Sequence, residues 1–428
     1  MVPVADNELM CRVGPGTAMG KAIRHFWVPA LLSSELPEPG GDPVHVELLG
    51  ENFVAFRDRQ GNIGLLDEHC CHRGASLTVG RVEECGIRCI YHGWLFAADG
   101  TVMETPNVAQ RSLKGRFKAR AYPVREAGGM IWTYLGERAK TPAFPDFPWA
   151  AAEESMRLTQ VTIIGCNYVQ LLEGLLDSSH LTILHSTALQ RAVAGDLNFT
   201  KATRHMMSDA APRIEVEDTE FGLRYAAIRN VDGKAETRIT SFIAPFWQLN
   251  PNGDIVVGVV PMSDEKTAFY NIWWDGQNRF GEEPLRSQSL DTIGVDQATM
   301  EKYGHTRANF NTSARASREN RWHQDRARMR DGHFTGAPTL VLEDVLVCTS
   351  AGPLRSRSRE LLTPADAAVA SLYRVLIRSA RAVAEGGLPV GAGVSIADVR
   401  GVNQSLPLDS DWHSLLRQEP KRDAITAA

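Results

Sequence analysis

Short apolar runs broken by turn residues dominate the first quarter of the chain. Val44 to Leu49 and Phe53 to Phe56 are rich in strand formers and are separated by Gly50. Arg59-Gln60-Gly61-Asn62 is a turn that leads into Ile63-Gly64-Leu65-Leu66. Asp99-Gly100 sits between Trp94-Leu95-Phe96 and Thr101-Val102-Met103, which predicts a hairpin. Met130 to Leu135 is a further strand. Pro142, Pro145 and Pro148 then forbid regular structure and mark a domain boundary. Beyond them, Val161 to Ile164, Gly222 to Ile228, Arg238 to Phe242, Ile255 to Val260 and Ala268 to Trp274 read as strands. The clearest helix starts at Thr363-Pro364-Ala365-Asp366, where Thr363 caps, Pro364 suits the first turn and Asp366 completes a capping box. It runs from Ala367 to Glu385 and stops at Gly386-Gly387. The pattern is α+β: an all-β N-terminal domain, then an α+β domain with a central antiparallel sheet flanked by helices. Nothing informative follows about residue 390.

Composition narrows the function. The chain has 428 residues, enough for two or three domains. A formal net charge of −5 argues against nucleic acid as a partner. No run of about eighteen apolar residues offers a membrane span. The start, MVPVADNELMCRVGPG, lacks the basic and apolar regions of a signal peptide. Four of the seven cysteines fall between residues 70 and 89. A disulfide framework would spread them, so a reducing cytoplasm and metal ligation are expected.

Two constellations carry chemistry. Cys70 and His72 form C-x-H, and Cys89 and His92 form C-x-x-H, each pair on a loop beside a hairpin. Two thiolates on one iron and two imidazoles on the other would make a Rieske 2Fe–2S centre. The alternative is structural zinc, whose common order is Cys, Cys, His, His. Cys71 reads as a bystander, Cys85 as a small buried residue and His69 as a loop histidine. Downstream, Asp177, His180 and His185 form D-x-x-H-x-x-x-x-H. On an ideal helix His180 lies about 60° to one side of Asp177 and His185 about 80° to the other, some 140° apart. One metal then requires a distorted helix, or His185 past its end. Two histidines and one carboxylate would leave iron positions open for dioxygen and substrate. Asp177 or a distant acid could be that carboxylate.

With these motifs in hand, the chain resembles the catalytic α subunit of Rieske ring-hydroxylating oxygenases, in the phthalate-dioxygenase-like branch that has no β subunit. The matching residues run from Gly14 to Gly20, through both cysteine loops and Glu173-Gly174, to Leu342-Glu343-Asp344, Ser350-Ala351-Gly352-Pro353 and Arg357-Ser358-Arg359-Glu360. The resemblance implies an N-terminal segment over 1–26 packing on the catalytic domain, a Rieske domain over 27–140, a mononuclear iron domain over 141–390 and a tail over 391–428. It implies that Asp177 bridges electron entry between subunits by bonding His180 and the second subunit's counterpart of His92. It makes Asp344 the third iron ligand, with Glu343 the rival. If that segment is extended, only one of the two faces the iron. Cys71 departs from the pattern, which has proline there, and relatives vary around Cys348 and Thr349.

The resemblance further implies a homotrimer or stacked trimers, O2, a small aromatic substrate, and a flavin and iron–sulfur reductase through which NAD(P)H acts indirectly. Products could be a cis-diol, a phenol, or an aldehyde from O- or N-dealkylation. A Rieske electron carrier without oxygenase activity is the alternative, which a chain this long disfavours. Arg238 is a candidate to hold a substrate carboxylate, with Arg224 and Arg229 behind it; a solvated strand arginine is the plain alternative. Asn167 and Glu173 are candidates to orient the iron ligands, with a helix-capping or core role the equal alternative for Asn167. Arg315, Arg318, Arg321, Arg326, Arg328 and Arg330 read as a solvated face.

Overall fold

A computed structural model describes residues 2–108, 113–187, 189, 206 and 209–417. Two short helices come first, α1 (Val4–Cys11) and α2 (Ala18–Ile23), and Thr17 caps the second through the Gly20 amide. Strand β1 (Trp27–Leu32) leads into two small antiparallel sheets. The first is β2 (Val44–Leu48), β3 (Glu51–Arg57) and β4 (Ile63–Asp67). The second is β5 (Arg81–Glu83), β6 (Gly86–Arg88), β7 (Leu95–Phe96) and β8 (Val102–Glu104). Strands β9 (Val124–Ala127) and β10 (Met130–Tyr134) then return to pair with β1 in the order β1-β10-β9. Val54, Phe56, Leu66, Leu77, Ile87 and Phe96 form a separate small core that includes Cys70 and Cys89. Its apolar residues hold the roots of both cysteine loops.

The second region is built on an eight-stranded antiparallel sheet. Its strands are β11 (Leu158–Ile164), β12 (Arg213–Asp218), β13 (Gly222–Val231), β14 (Lys234–Ile243), β15 (Trp247–Leu249), β16 (Ile255–Ser263), β17 (Lys266–Trp273) and β18 (Val402–Pro407). The order is β11-β17-β16-β15-β14-β13-β12, with β18 added to β14. Strand β16 is buried from Ile255 to Met262, so its sequence is a continuous apolar run rather than an alternation. Four helices matter to the site: α3 (Tyr168–Leu176), α4 (Leu181–Leu184), α5 (Leu340–Ser350) and α6 (Ala367–Ala384). The capping box before α6 forms as its sequence signals, with the Thr363 amide and hydroxyl both donating to Asp366. Helices α1 and α2 pack against α6.

The tail is informative after all. Val402–Pro407 pairs with β14 from Lys234 to Ile239, on the side that β15 covers further along. Trp412 and Leu415 then close a small core with Ala226, Ile228 and Ile239. Residues 418–428 lie outside the description. No helix among the described residues is long and apolar enough to cross a membrane.

Candidate metal centres

The two cysteine loops are built alike. Cys70 N–H donates to the Ala75 carbonyl, and Gly74 N–H donates back to the Cys70 carbonyl. Cys89 N–H donates to the Trp94 carbonyl, and Gly93 N–H to the Cys89 carbonyl. Both turns need a left-handed residue, and Gly74 and Gly93 supply φ of 73° and 75°. The loops place like donors together. The Cys70 and Cys89 thiols are both buried, and each lies within the electrostatic reach of the other. The His72 and His92 rings lie 4.7 Å apart between centroids, and His72 stacks on Trp94 at 4.6 Å and 2°. Burial, reinforced by Cys89, pushes the Cys70 thiol up to about 11, so a bare thiolate is disfavoured and a metal is the fitting counter-charge. Paired thiols and paired imidazoles suit the two irons of a 2Fe–2S cluster. Among the described residues, the four donors are not gathered within the 4.8 Å of one another that a single ion would need. Cys71 is exposed, as a bystander would be, whereas Cys85 is half-buried rather than buried. His69 is an exposed residue that pairs its backbone with Ser76.

At the downstream motif, the helix breaks. Helix α3 ends at Leu176, and Asp177 has extended backbone at φ −98°, ψ 106°. Helix α4 restarts with His180 at its N-terminal cap and His185 at its C-terminal cap. The break removes the angular conflict of a straight helix, and the rings stand 5.1 Å apart. Arg229, 1% exposed on β13, braces the break by donating to the carbonyl and hydroxyl of Ser178.

Asp344 approaches from α5. Its Oδ1 lies 3.3 Å from His185 Nε2 and 3.8 Å from His180 Nε2. His180, His185 and Asp344 are the one set among the described residues whose donor atoms all fall within 4.8 Å. The residues around Asp344 are helical, not extended, so Glu343 and Asp344 point about 100° apart rather than to opposite faces. Glu343 therefore also reaches the site, from behind. Its Oε2 lies 2.7 Å from His185 Nδ1, and its Oε1 accepts from Thr335 Oγ1 at 2.6 Å. The motif left Glu343 as a competitor of Asp344; the signal for its other role is an acid one helical step from a ligand. Burial would lower the His185 pKa, but Asp344 and Glu343 push it up to about 10. Burial would raise Asp344, but the two histidines hold it below the ordinary carboxylate range. The buried Nδ1 of His180 has no hydrogen-bond partner and faces Asp177 Oδ2 at 3.7 Å. Asp177 Oδ1 is held by the amide and hydroxyl of Ser179.

Asn167 takes the helix-capping alternative, and Glu173 does different work from that expected. Asn167 caps α3 through the Val169 amide and donates to the carbonyls of Cys11 and Asp264. Glu173 accepts from Arg355, Arg357 and Tyr373. Neither bonds His180, His185 or Asp344, because both face away from the iron triad toward the N-terminal helices and α6. The cavity over the triad is walled by Leu171, Leu175, Val257 and Phe269, and Arg238 opens into it. Arg238 is 6% exposed, which excludes the solvated-strand alternative, and its Nη1 donates to Asn252 Oδ1 at 2.9 Å. Arg224 instead lies over the Phe221 ring beside Glu217. Of the arginine cluster, Arg318, Arg321, Arg326 and Arg330 are exposed, while Arg315 and Arg328 are half-buried.

Comparison with known proteins completes the picture. Residues 26–123 match the Rieske [2Fe-2S] domain, and residues 133–427 match the LigXa C-terminal domain-like family. The phthalate 4,5-dioxygenase oxygenase subunit of Pseudomonas putida is 36% identical over 426 residues, covering 96% of this chain and 94% of its own. The 3-chlorobenzoate-3,4-dioxygenase oxygenase subunit of Comamonas testosteroni is 35% identical over 442 residues, covering 98% of each. Among solved structures, the QL mutant of NdmA of Pseudomonas putida CBB5 with theobromine superimposes with a TM-score of 0.59 at 17% identity, over 92% of this chain and 99% of that one. Matched by both domain families in turn, and almost end to end by oxygenase subunits, this chain belongs to the Rieske non-haem iron oxygenases, O2-dependent oxidoreductases that join a 2Fe–2S cluster and a mononuclear iron in one polypeptide.

Proposed function

We propose that the chain is the terminal oxygenase of a multi-component system acting on an aromatic carboxylate, with electrons from a separate flavin and iron–sulfur reductase that draws on NAD(P)H. The carrying observation is the cavity that joins the His180, His185 and Asp344 donors to the buried Arg238 along apolar walls. A buried guanidinium is penalised, and burial with Arg229 lowers Arg238 to about 10, so a substrate carboxylate is its natural complement. The relatives at 35–36% identity are named for phthalate and 3-chlorobenzoate, both aromatic carboxylates.

Cys70 and Cys89 would hold one iron of the cluster and His72 and His92 the other. His180, His185 and Asp344 would hold the mononuclear iron, two histidines and one carboxylate leaving room for further ligands. When bound, the cluster supplies single electrons and the ferrous ion supplies dioxygen activation beside the substrate. Glu343 accepts a hydrogen bond from His185 Nδ1–H, which keeps the proton there and leaves the Nε2 lone pair free to ligate. Asp177, fixed by Ser179, presents its second oxygen to His180. In a ring of three subunits, or two such rings stacked, Asp177 would also meet His92 of the partner subunit. Hydroxylation, cis-dihydroxylation and O- or N-dealkylation share this iron site, and the cavity selects among them.

The test is oxygen uptake coupled to product over a panel of aromatic acids, aryl ethers and anilides, with a generic reductase. At least one aromatic acid should turn over, and Arg238→Leu should raise its KM more than tenfold. No product from any aromatic, with both metals loaded, overturns the reading.

A further inference from the structure

The sheet face of the cavity carries two groups that neither the iron site nor Arg238 explains. Gln248 on β15 stands opposite Val257 on β16, and Val257 stands opposite Asn271 on β17. Directly opposed residues share a face, so the three form one row across three strands. All three line the cavity. Strands lie about 4.8 Å apart, which puts the two amide-bearing residues about 10 Å apart at the backbone, a span that one substituted ring can bridge. Gln248 and Asn271 are each 3% exposed. Gln248 Oε1 and Asn271 Nδ2 are buried with no hydrogen-bond partner. Buried side-chain amides are normally paired, because an unmet donor or acceptor keeps its full desolvation cost. Two left open on one row, facing a cavity, are recognition groups awaiting a ligand.

We infer that Gln248 and Asn271 form a neutral polar subsite that selects aromatic acids carrying an uncharged hydrogen-bonding substituent, a hydroxyl or an ether oxygen. The inference rests on the proposed aromatic-carboxylate reading for where the acid end lies, and the amides determine the rest of the ring. Each amide offers both a donor and an acceptor, so the pair accommodates a hydroxyl or an alkoxyl. A site built around such groups rejects the analogue that lacks the partner, because the amides are then buried unmet.

The experiment is anaerobic titration calorimetry on the metal-loaded enzyme with two probe sets. The acid set is benzoate and the three hydroxy- and three methoxybenzoates; the neutral set is toluene, phenol and anisole. The visible spectrum of the cluster and the melting temperature check that each variant is folded and loaded. In the wild type, at least one substituted benzoate should bind about tenfold or more tighter than benzoate. Gln248→Met and Asn271→Leu, which keep size but remove hydrogen bonding, should erase that gain. If the acids fail to bind while phenol or anisole gains over toluene and loses it in the variants, the subsite stands and the carboxylate reading of Arg238 falls. If the acids bind through Arg238 without a substituent gain, or both variants keep the gain, the subsite falls and that reading stands. Absence of any substituent gain in either set also overturns the inference.

Discussion

Glu343 and Asp344 are adjacent acids that hold two faces of one imidazole. Asp344 faces His185 Nε2 and Glu343 faces Nδ1. Removing each should therefore produce a different defect. Asp344→Asn deletes a donor of the triad and should leave chains without mononuclear iron. Glu343→Gln keeps the size but weakens the charge-assisted bond that orients His185, and should reduce iron affinity about 10–100-fold. Iron retained against a chelator measures both, while the visible spectrum reports that the cluster is untouched. Equal iron loss in the two variants would refute the division of roles. Asp254 permits a second test at this scale. It is 5% exposed, its Oδ1 has no partner, and burial raises its pKa to about 6. Its unfolded value is lower, near 3.9, so the folded state binds the proton more tightly and stability falls as pH rises from about 4 through 6. Asp254→Asn should thus stabilise the fold at pH 8 by on the order of 3 kcal/mol, seen as a higher melting temperature, and change it little at pH 4. The candidate donors Cys70, His72, Cys89, His92, His180 and His185 could be picked out by spacing because metal-ligating residue types are few, whereas Asp344 came only with the family resemblance. The roles of Glu343 and Glu173 were not legible, because each depends on a partner more than a hundred residues away.

Elements were legible where turns punctuate them. The hairpins of the N-terminal domain, the strands of the large sheet and helix α6 follow runs bounded by Gly, Pro or a capping box. Two kinds of element escaped. Helix α5 reads LVLEDVLVCTS, apolar on nearly every side, and a short apolar run does not distinguish a buried helix from a buried strand. Strand β18 fails for the opposite reason. Its sequence, VNQSLP, is mostly polar and exposed, and only β14 tells it to be a strand. What fastens that tail is Trp412, 3% exposed and donating its indole N–H to Glu215. Trp412→Ala should cost about 3 kcal/mol or more, by loss of buried area and the cavity left behind. A thermal melt should show the loss while the cluster spectrum and the iron content stay near wild type. A variant that melts like the wild type would mean that the tail is not held in this way.

At the scale of the whole molecule, the proposed ring places a demand on the face around His92. Ile90 and Tyr91 beside it are 65% and 54% exposed, an apolar tip next to a cluster ligand, and exposed apolar patches of this kind commonly mark contacts with another chain. Asp177 is the complementary group, anchored by Ser179 and turned toward His180. The proposed ring lets each answer the other, head to tail. Complementation tests it directly. One chain carries Cys70→Ser and Cys89→Ser and keeps only the iron triad; the other carries His185→Ala and keeps only the cluster. Each alone should be inactive, whichever path operates. If the centres communicate within a chain, a co-expressed mixture stays silent, because no chain holds both. If they communicate across the boundary, a directional ring assembled at random from equal amounts places a cluster-bearing chain before an iron-bearing one at about a quarter of its junctions, so coupled oxygen uptake should return to about a quarter of wild type. Adding Asp177→Ala to the iron-bearing chain should remove the recovered activity without removing its iron. Recovery that survives that third substitution would leave the ring in place and take the bridge away from Asp177.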